Sequence, residues 1–485
     1  MSLRTLAALT LFAVPAACIA QTAPAGPVPP KTWVDKDTGH RVWRLSNEPN
    51  SGGFYFNVNA YTPDLKQMVY TAPDGIHVLD LATRETKLLV SNPPRPADAR
   101  GPFYPGMVHA IVVGHKSNSV FFTRTDPMTH VTAVYKADTN TGAVRKLIDL
   151  PANHMIVSVN ADETLAVGTY IVGGSRGEAY GASMQGAQRP GQRAPDNRVA
   201  SETQGPHFQP SNKGEMMERR LAAHLPMVLF TIRLEPGPHG EKAGEVKILL
   251  HSTDWINHLL FSPTDPDLLM YCHEGPWQKV DRIWMIHTDG THNTLIHKRT
   301  MYMEIAGHEF WGLDGETIWY DWQYPKGEDF FLASYNLKTG ERIAYHMQRN
   351  EWGIHFNLTR DLKLFCDDGG DPGQVARAKD GEWIELLRPQ MITDGPGTIN
   401  SSTYWQPGVF HAEHLVNMAH HYYREEPNVR FSPDGTMVIF TSNMFGPSYV
   451  FGVEVAKAIN PPPQDVVSTP ELASRYNPRN PPPLH

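Results

Sequence analysis

Phe431-Ser432-Pro433-Asp434-Gly435-Thr436-Met437-Val438-Ile439-Phe440-Thr441 is a tight polar turn running straight into a short apolar strand. Proline fixes one backbone angle and glycine accepts a positive φ, so Ser-Pro-Asp-Gly reverses the chain at little cost. Tyr449-Val450-Phe451 then supplies a second strand. The same phrase recurs upstream. Thr62-Pro63-Asp64 leads into Met68-Val69-Tyr70-Thr71 and Ile76-His77-Val78-Leu79-Asp80. Ser262-Pro263-Thr264 leads into Leu268-Leu269-Met270-Tyr271 and Arg282-Ile283-Trp284-Met285-Ile286. Leu313-Asp314-Gly315 leads into Thr317-Ile318-Trp319-Tyr320 and Phe331-Leu332-Ala333-Ser334-Tyr335. Weaker copies start near His115, Ala161 and Thr359, which brings the count to seven.

A unit of roughly 40 to 50 residues with four short strands is the signature of a propeller. Each four-stranded unit has two apolar faces and cannot bury both alone, so units stack around an axis. A β-sandwich also needs many strands, but it does not repeat one phrase seven times. The expected fold is all-β, a seven-bladed β-propeller over residues 32–459. One copy is disturbed: a Gly-, Gln- and Arg-rich insertion at about 174–220 lacks the apolar content of a strand and falls in the third blade. It reads as a lid or a disordered loop, with helical character over Met216–His224. The proline-bearing run 460–485 reads as an extended C-terminal tail.

The chain opens with Arg4, an apolar stretch Leu6–Val14, and Ala17-Cys18-Ile19-Ala20 before Gln21. This is the pattern of a signal peptide at 1–20, followed by a Pro- and Ala-rich linker at 21–31. Cys18 raises the question of a lipoprotein signal, but Pro15 stands where a Leu-like residue is expected. The apolar run is too short to span a bilayer. The expectation is therefore a periplasmic or secreted protein with no membrane span. Past the leader only Cys272 and Cys366 remain, too few for a disulfide framework, so a packed core must supply stability. Net charge is −8 with no basic block, which argues against nucleic acid as a partner.

Three stretches place polar groups beside apolar strands: Tyr271-Cys272-His273-Glu274-Gly275-Pro276-Trp277, Gly307-His308-Glu309-Phe310-Trp311, and His420-His421 through Asn428. None has the spacing of a standard zinc motif. A lone histidine is more often a hydrogen-bonded structural residue than a catalyst, but here histidines recur on successive blades. In order and spacing, Cys272–Pro276, Val280-Asp281-Arg282-Ile283-Trp284 and His308-Glu309-Phe310-Trp311 resemble the oligogalacturonate lyase family. The likeness runs through most of the mature chain and is strongest from about Asn257 to Ser442.

The resemblance implies a propeller that cleaves uronate oligomers by β-elimination with a bound divalent metal. The family's proton-abstracting histidine falls on His308, its assisting arginine on Arg282, and one metal-ligand histidine on His355. The remaining ligands depart from the family pattern. Glu426 and Asn428 stand where the family has histidines, and His421 is a further candidate. Such oxygen-rich donors point to a harder ion, manganese or calcium. Arg220, His273 and Glu274 are candidate substrate-binding residues, although Cys272–Pro276 serves equally well as a structural turn.

The chemistry expected of this set is specific. The C5 proton of a uronic acid is poorly acidic while its carboxylate is anionic, so a cation bound to that carboxylate stabilises the enediolate-like intermediate. A neutral imidazole then takes the proton. The rival reading is a non-catalytic carbohydrate-binding or scaffolding propeller of the periplasm, which keeps the turns but does not need His308, Arg282 and His355 together. A serine-peptidase propeller would carry an α/β-hydrolase domain, which the sequence after the repeats does not supply.

Overall fold

A computed structural model describes residues 28–97, 104–174, 213–370, 380–393, 403–423 and 425–476. The strands follow the turns as the repeat predicts. Ser432 shows why: its hydroxyl donates to Asp434 Oδ1, while its Oγ accepts from the amide of Met437 at 3.0 Å. Gly435 sits at φ 71° and Gly315 at φ 72°, in the region glycine tolerates. The copy at Thr62 and the weaker copies at Ala161 and Thr359 place Leu65, Glu163 and Leu362 at φ 59°, 64° and 55°, so the turn survives without its glycine.

Blade one contains Gln67–Ala72, Gly75–Asp80 and Thr86–Ser91, with bridges from Gly52 and Tyr61 along its inner edge. Blade two runs from Val108–Val113 to Val144–Asp149, and blade three from Met155–Val159 to Val246–Ser252. Blade four is Trp255–Phe261, Leu268–Glu274, Ile283–His287 and Thr294–Leu295. Blade five is Ile305–Trp311, Thr317–Gln323, Phe330–Asn336 and Arg342–His346. Blade six is Phe356–Leu358, Phe365–Asp367, Trp383–Met391 and Trp405–Asn417. The outer strands of blades five and six pair in parallel, from Arg342 with Trp405 to His346 with Val409.

The seventh blade closes the ring. Arg430–Phe431, Met437–Ser442 and Tyr449–Lys457 come from the end of the chain, and the outer strand, His40–Arg44, comes from its beginning. Val42, Trp43 and Arg44 pair with Val453, Gly452 and Phe451, so the two ends hold each other. Apolar side chains fill the spaces between blades. The largest cluster joins blades five, six and seven around Trp33, Trp319 and Trp352, all fully buried.

The third-blade insertion separates Leu165–Ile171 from Met227–Arg233, strands that pair in register along their whole length. Its described part includes a helix, α1, at Lys213–Ala223, which tucks Met217 into the core beside Trp255. The reading of residues 175–212 as a lid or a disordered loop lies outside the described residues, as do the signal peptide and all of the linker but 28–31. The C-terminal run differs from the expected extended tail. Val466–Val467 adds a parallel strand beside Thr32–Asp35, and a second helix, α2, spans Thr469–Tyr476. The reason is local: Leu472 and Ala473 give α2 an apolar face, and Trp33 Nε1 donates to Thr469 Oγ1 at 2.7 Å. No helix among the described residues is long and apolar enough to cross a membrane.

Candidate active site

Three successive blades carry the same device. Each presents a histidine at or beside its innermost strand, backed by a carboxylate from the strand behind. In blade four His258 Nε2 lies 3.1 Å from Glu274 Oε2. In blade five His308 Nδ1 lies 3.4 Å from Asp321 Oδ2. In blade six His355 Nδ1 donates to Asp368 Oδ2 at 2.7 Å. Bulges make two of these possible. The register slips between Asn257 and Leu260 and again between Gly307 and Phe310. His258 and His308 occupy these slips at φ 48° and 46°. A β-bulge leaves one residue out of the ladder and re-aims its side chain.

His308 is enclosed. Its ring meets Trp277 edge-on at 4.8 Å, His355 at 4.9 Å and Phe56 at 6.4 Å between centroids. Burial pulls its pKa down, Asp321 pushes the other way, and the net lies below the usual histidine value. The ring is thus neutral at neutral pH, the state a base requires. Arg282 is buried under Trp277, its guanidinium carbon 4.4 Å from the ring centroid. Burial disfavours its charge, but Glu274 at 2.6 Å and Glu309 at 3.7 Å outweigh that and hold it cationic.

The loop from blade seven into blade one completes the group. Arg430 donates to the carbonyls of Phe54, Tyr55 and Val58, fixing that loop against the last blade. Tyr55 thereby places its hydroxyl 3.2 Å from His355 Nε2. Burial, with Glu426, Glu309 and Glu274 around it, pushes the phenol pKa well up and keeps it protonated. Phe56 stacks on His355 at 4.5 Å.

Of the expected residues, His308, Arg282, Glu274, His355 and Glu426 come together. Glu426 Oε2 lies 3.8 Å from His355 Nε2. Asn428 serves as a brace: its Oδ1 accepts from the amide of Phe56 and its Nδ2 donates to the carbonyl of Glu426. His421 differs from expectation. Its Nε2 donates to the Glu425 carbonyl at 2.7 Å and its Nδ1 pairs with Ser442 Oγ at 3.0 Å, leaving no lone pair for a metal. Burial accordingly depresses its pKa to about 4. His273 alternates to the other face of its strand, 3.6 Å from Asp254 and against Trp284. Arg220, from α1, rests over Trp255 at 4.9 Å.

His355 and Glu426 fit a divalent ion in part: the His355 Nε2 that an ion would take faces Glu426 at 3.8 Å and also the Tyr55 hydroxyl at 3.2 Å, which an ion must displace. A histidine whose second nitrogen donates to a buried carboxylate is a common metal-ligand arrangement. Two protein donors suffice where substrate supplies the rest.

The fold and this cluster define the class: a β-propeller with imidazole–carboxylate pairs along successive inner strands and the buried Arg282 beside them. The sequence model of the oligogalacturonate lyase family matches residues 239–459, and the resemblance read from the motifs is borne out over that span. An oligogalacturonide lyase of Pectobacterium atrosepticum is 26% identical over 222 residues, which is 44% of this chain and 54% of the relative. An oligogalacturonate lyase of Dickeya dadantii is 26% identical over 238 residues, 45% of this chain and 54% of the relative. In each case the match spans about half the relative's length. Among solved structures, an oligogalacturonate lyase in complex with manganese superposes with a TM-score of 0.61 at 19% identity, covering 88% of this chain and 96% of that one. An oligogalacturonate lyase from Vibrio parahaemolyticus gives 0.62 at the same identity and coverage. Those two likenesses establish the fold.

Sequence reasoning missed His258, Tyr55, Asp321, Asp368 and Glu309. A usable signal existed for Asp321: Thr317–Gln323 is an apolar strand with an acid in it, and a buried acid needs a partner.

Proposed function

We propose that this protein is an exported lyase that cleaves uronate-containing oligosaccharides by β-elimination, with His308 as the base. The observation that carries the reading is His308 itself: a buried, neutral imidazole re-aimed by a bulge, backed by Asp321, and packed on the same Trp277 ring as the cation Arg282. The matched family and the names of the curated relatives support the substrate class. The leader-like segment at 1–20 supports export.

Each residue has a task. Arg282, held by Glu274 under Trp277, binds the substrate anion. Asp321 orients the imidazole and stabilises it once it has taken the C5 proton. The C4–O bond then breaks, leaving an unsaturated uronate on one fragment. Phe56 and Trp277 enclose His308 and limit water around it. His355 Nε2 and the Glu426 carboxylate would hold a divalent ion, with Asp368 fixing the imidazole. When bound, that ion supplies charge neutralisation at the substrate carboxylate. A nitrogen donor in the set favours manganese over calcium, and one of the solved lyases of this fold binds manganese.

The test is kinetic. Elimination creates a conjugated double bond, followed by ultraviolet absorbance on a panel of uronate oligomers. His308→Ala should lower kcat by about 10²- to 10⁴-fold with the circular dichroism spectrum unchanged. Undiminished activity in that variant would refute the assignment of the base. No activity of the wild type on any uronate, with metal supplied, would favour a carbohydrate-binding propeller.

A further inference from the structure

Next to Arg282 in blade four lies a second group of donors, of which the proposed reaction uses only Glu274, as the partner of Arg282. Cys272 and Glu274 are two residues apart on one strand and so share a face. Both are buried. Cys272 Sγ lies 3.9 Å from Glu274 Oε2, and His258 Nε2 lies 3.1 Å from the same oxygen. The sulfur, the imidazole nitrogen and the carboxylate oxygen all fall within 4.8 Å of one another. Donors sharing a tetrahedral ion at bond lengths of about 2.0 to 2.3 Å stand roughly 3 to 4 Å apart.

A salt bridge alone does not account for the rest of the cluster. Glu309 is fully buried, and neither of its oxygens has a nitrogen or oxygen hydrogen-bond partner among the described residues. The Arg282 guanidinium stands off at 3.7 Å, and the Cys272 thiol faces the same carboxylate. An acidic group buried with only a thiol donor and a guanidinium at 3.7 Å is costly unless a further cation answers it. Arg282 is committed to Glu274 Oε1. Two carboxylates therefore oppose one guanidinium, and a dication bound through a cysteine thiolate brings the group to neutrality.

We infer that His258, Cys272 and Glu274, with Glu309 behind them, form a site for a thiophilic divalent ion such as zinc, separate from His355 and Glu426. A thiolate with an imidazole and a carboxylate selects a softer ion than an oxygen-rich set does. His258 is the partly exposed member and gives the ion its entry from solvent. The thiol proton is released to solvent on binding. Through Glu274 the ion braces Arg282.

Cobalt(II) is the probe, added to the full chain stripped of metal, with absorbance read independently of any lyase activity. The expected result is one equivalent giving a thiolate-to-cobalt charge-transfer band. The band should vanish in Cys272→Ala and persist in Cys366→Ala and in Glu426→Gln. His258→Gln, at a partly exposed position that leaves the core intact, should weaken cobalt binding by about tenfold or more. Absence of the band in the wild type, or its survival in a folded Cys272→Ala protein, would overturn the proposal. So would unchanged affinity in His258→Gln.

Discussion

At the scale of the residue, the account rests on how an imidazole is kept neutral and aimed. Asp321 does the aiming: it is fully buried, and its Oδ2 faces His308 Nδ1 at 3.4 Å. Asp321→Asn keeps the volume and removes the charge. It should lower kcat by about ten- to a hundredfold while leaving KM close to wild type, because it touches the base and not the substrate. A rise in KM with kcat unchanged would place Asp321 in substrate binding instead. This is also the scale at which the sequence was least legible. His308 and Arg282 stand in motifs that can be read along the chain. Asp321 and Asp368 follow their histidines by 13 residues each, and Glu274 follows His258 by 16, distances with no fixed meaning until the strands pair. The misread residue, His421, shows the opposite failure. It lies close in sequence to Glu426, but its ring faces Ser442 and the Glu425 carbonyl.

At the scale of the element, the inner-strand bulges convert an ordinary blade into a site. Alternation along Ile305–Trp311 cannot by itself deliver His308 against Trp277; the slip after Gly307 does so. Gly307 is required there for space. A Cβ on it would lie 2.6 Å from Trp277 Cζ3, and Trp277 is the ring on which Arg282 rests. Gly307→Ala should therefore shift Trp277, cost about 1 to 3 kcal/mol of stability from overpacking, and lower kcat/KM. Thermal melting and steady-state kinetics check both parts, and an unaltered kcat/KM would dissociate Trp277 from the site. The strands themselves were legible, because Pro, Asp and Gly mark each turn and apolar runs follow. The bulges were not, since an extra residue leaves no mark until the partner strand is known. Nor was α2, whose apolar face has meaning only against the strand carrying Trp33.

At the scale of the whole molecule, stability depends on closing a ring whose last blade is shared by both chain ends. His421 sits at that closure, tied to Ser442 of blade seven. Its folded pKa is about 4, against about 6.5 for a free histidine, so the unfolded chain binds the proton first. The contribution of the neutral ring is therefore fully present above pH about 6.5 and is lost as pH falls toward 4, amounting to about 3 kcal/mol. Melting temperature measured across that window should fall more steeply in the wild type than in His421→Gln. Parallel profiles would contradict the assignment. The central claim, elimination, is tested most directly by weighing the products. Mass spectrometry of fragments released from a purified oligouronate should find two whose masses sum to that of the parent, one of them carrying the new double bond. Fragments that sum to the parent plus one water would mean hydrolysis, and would contradict the mechanism built on His308.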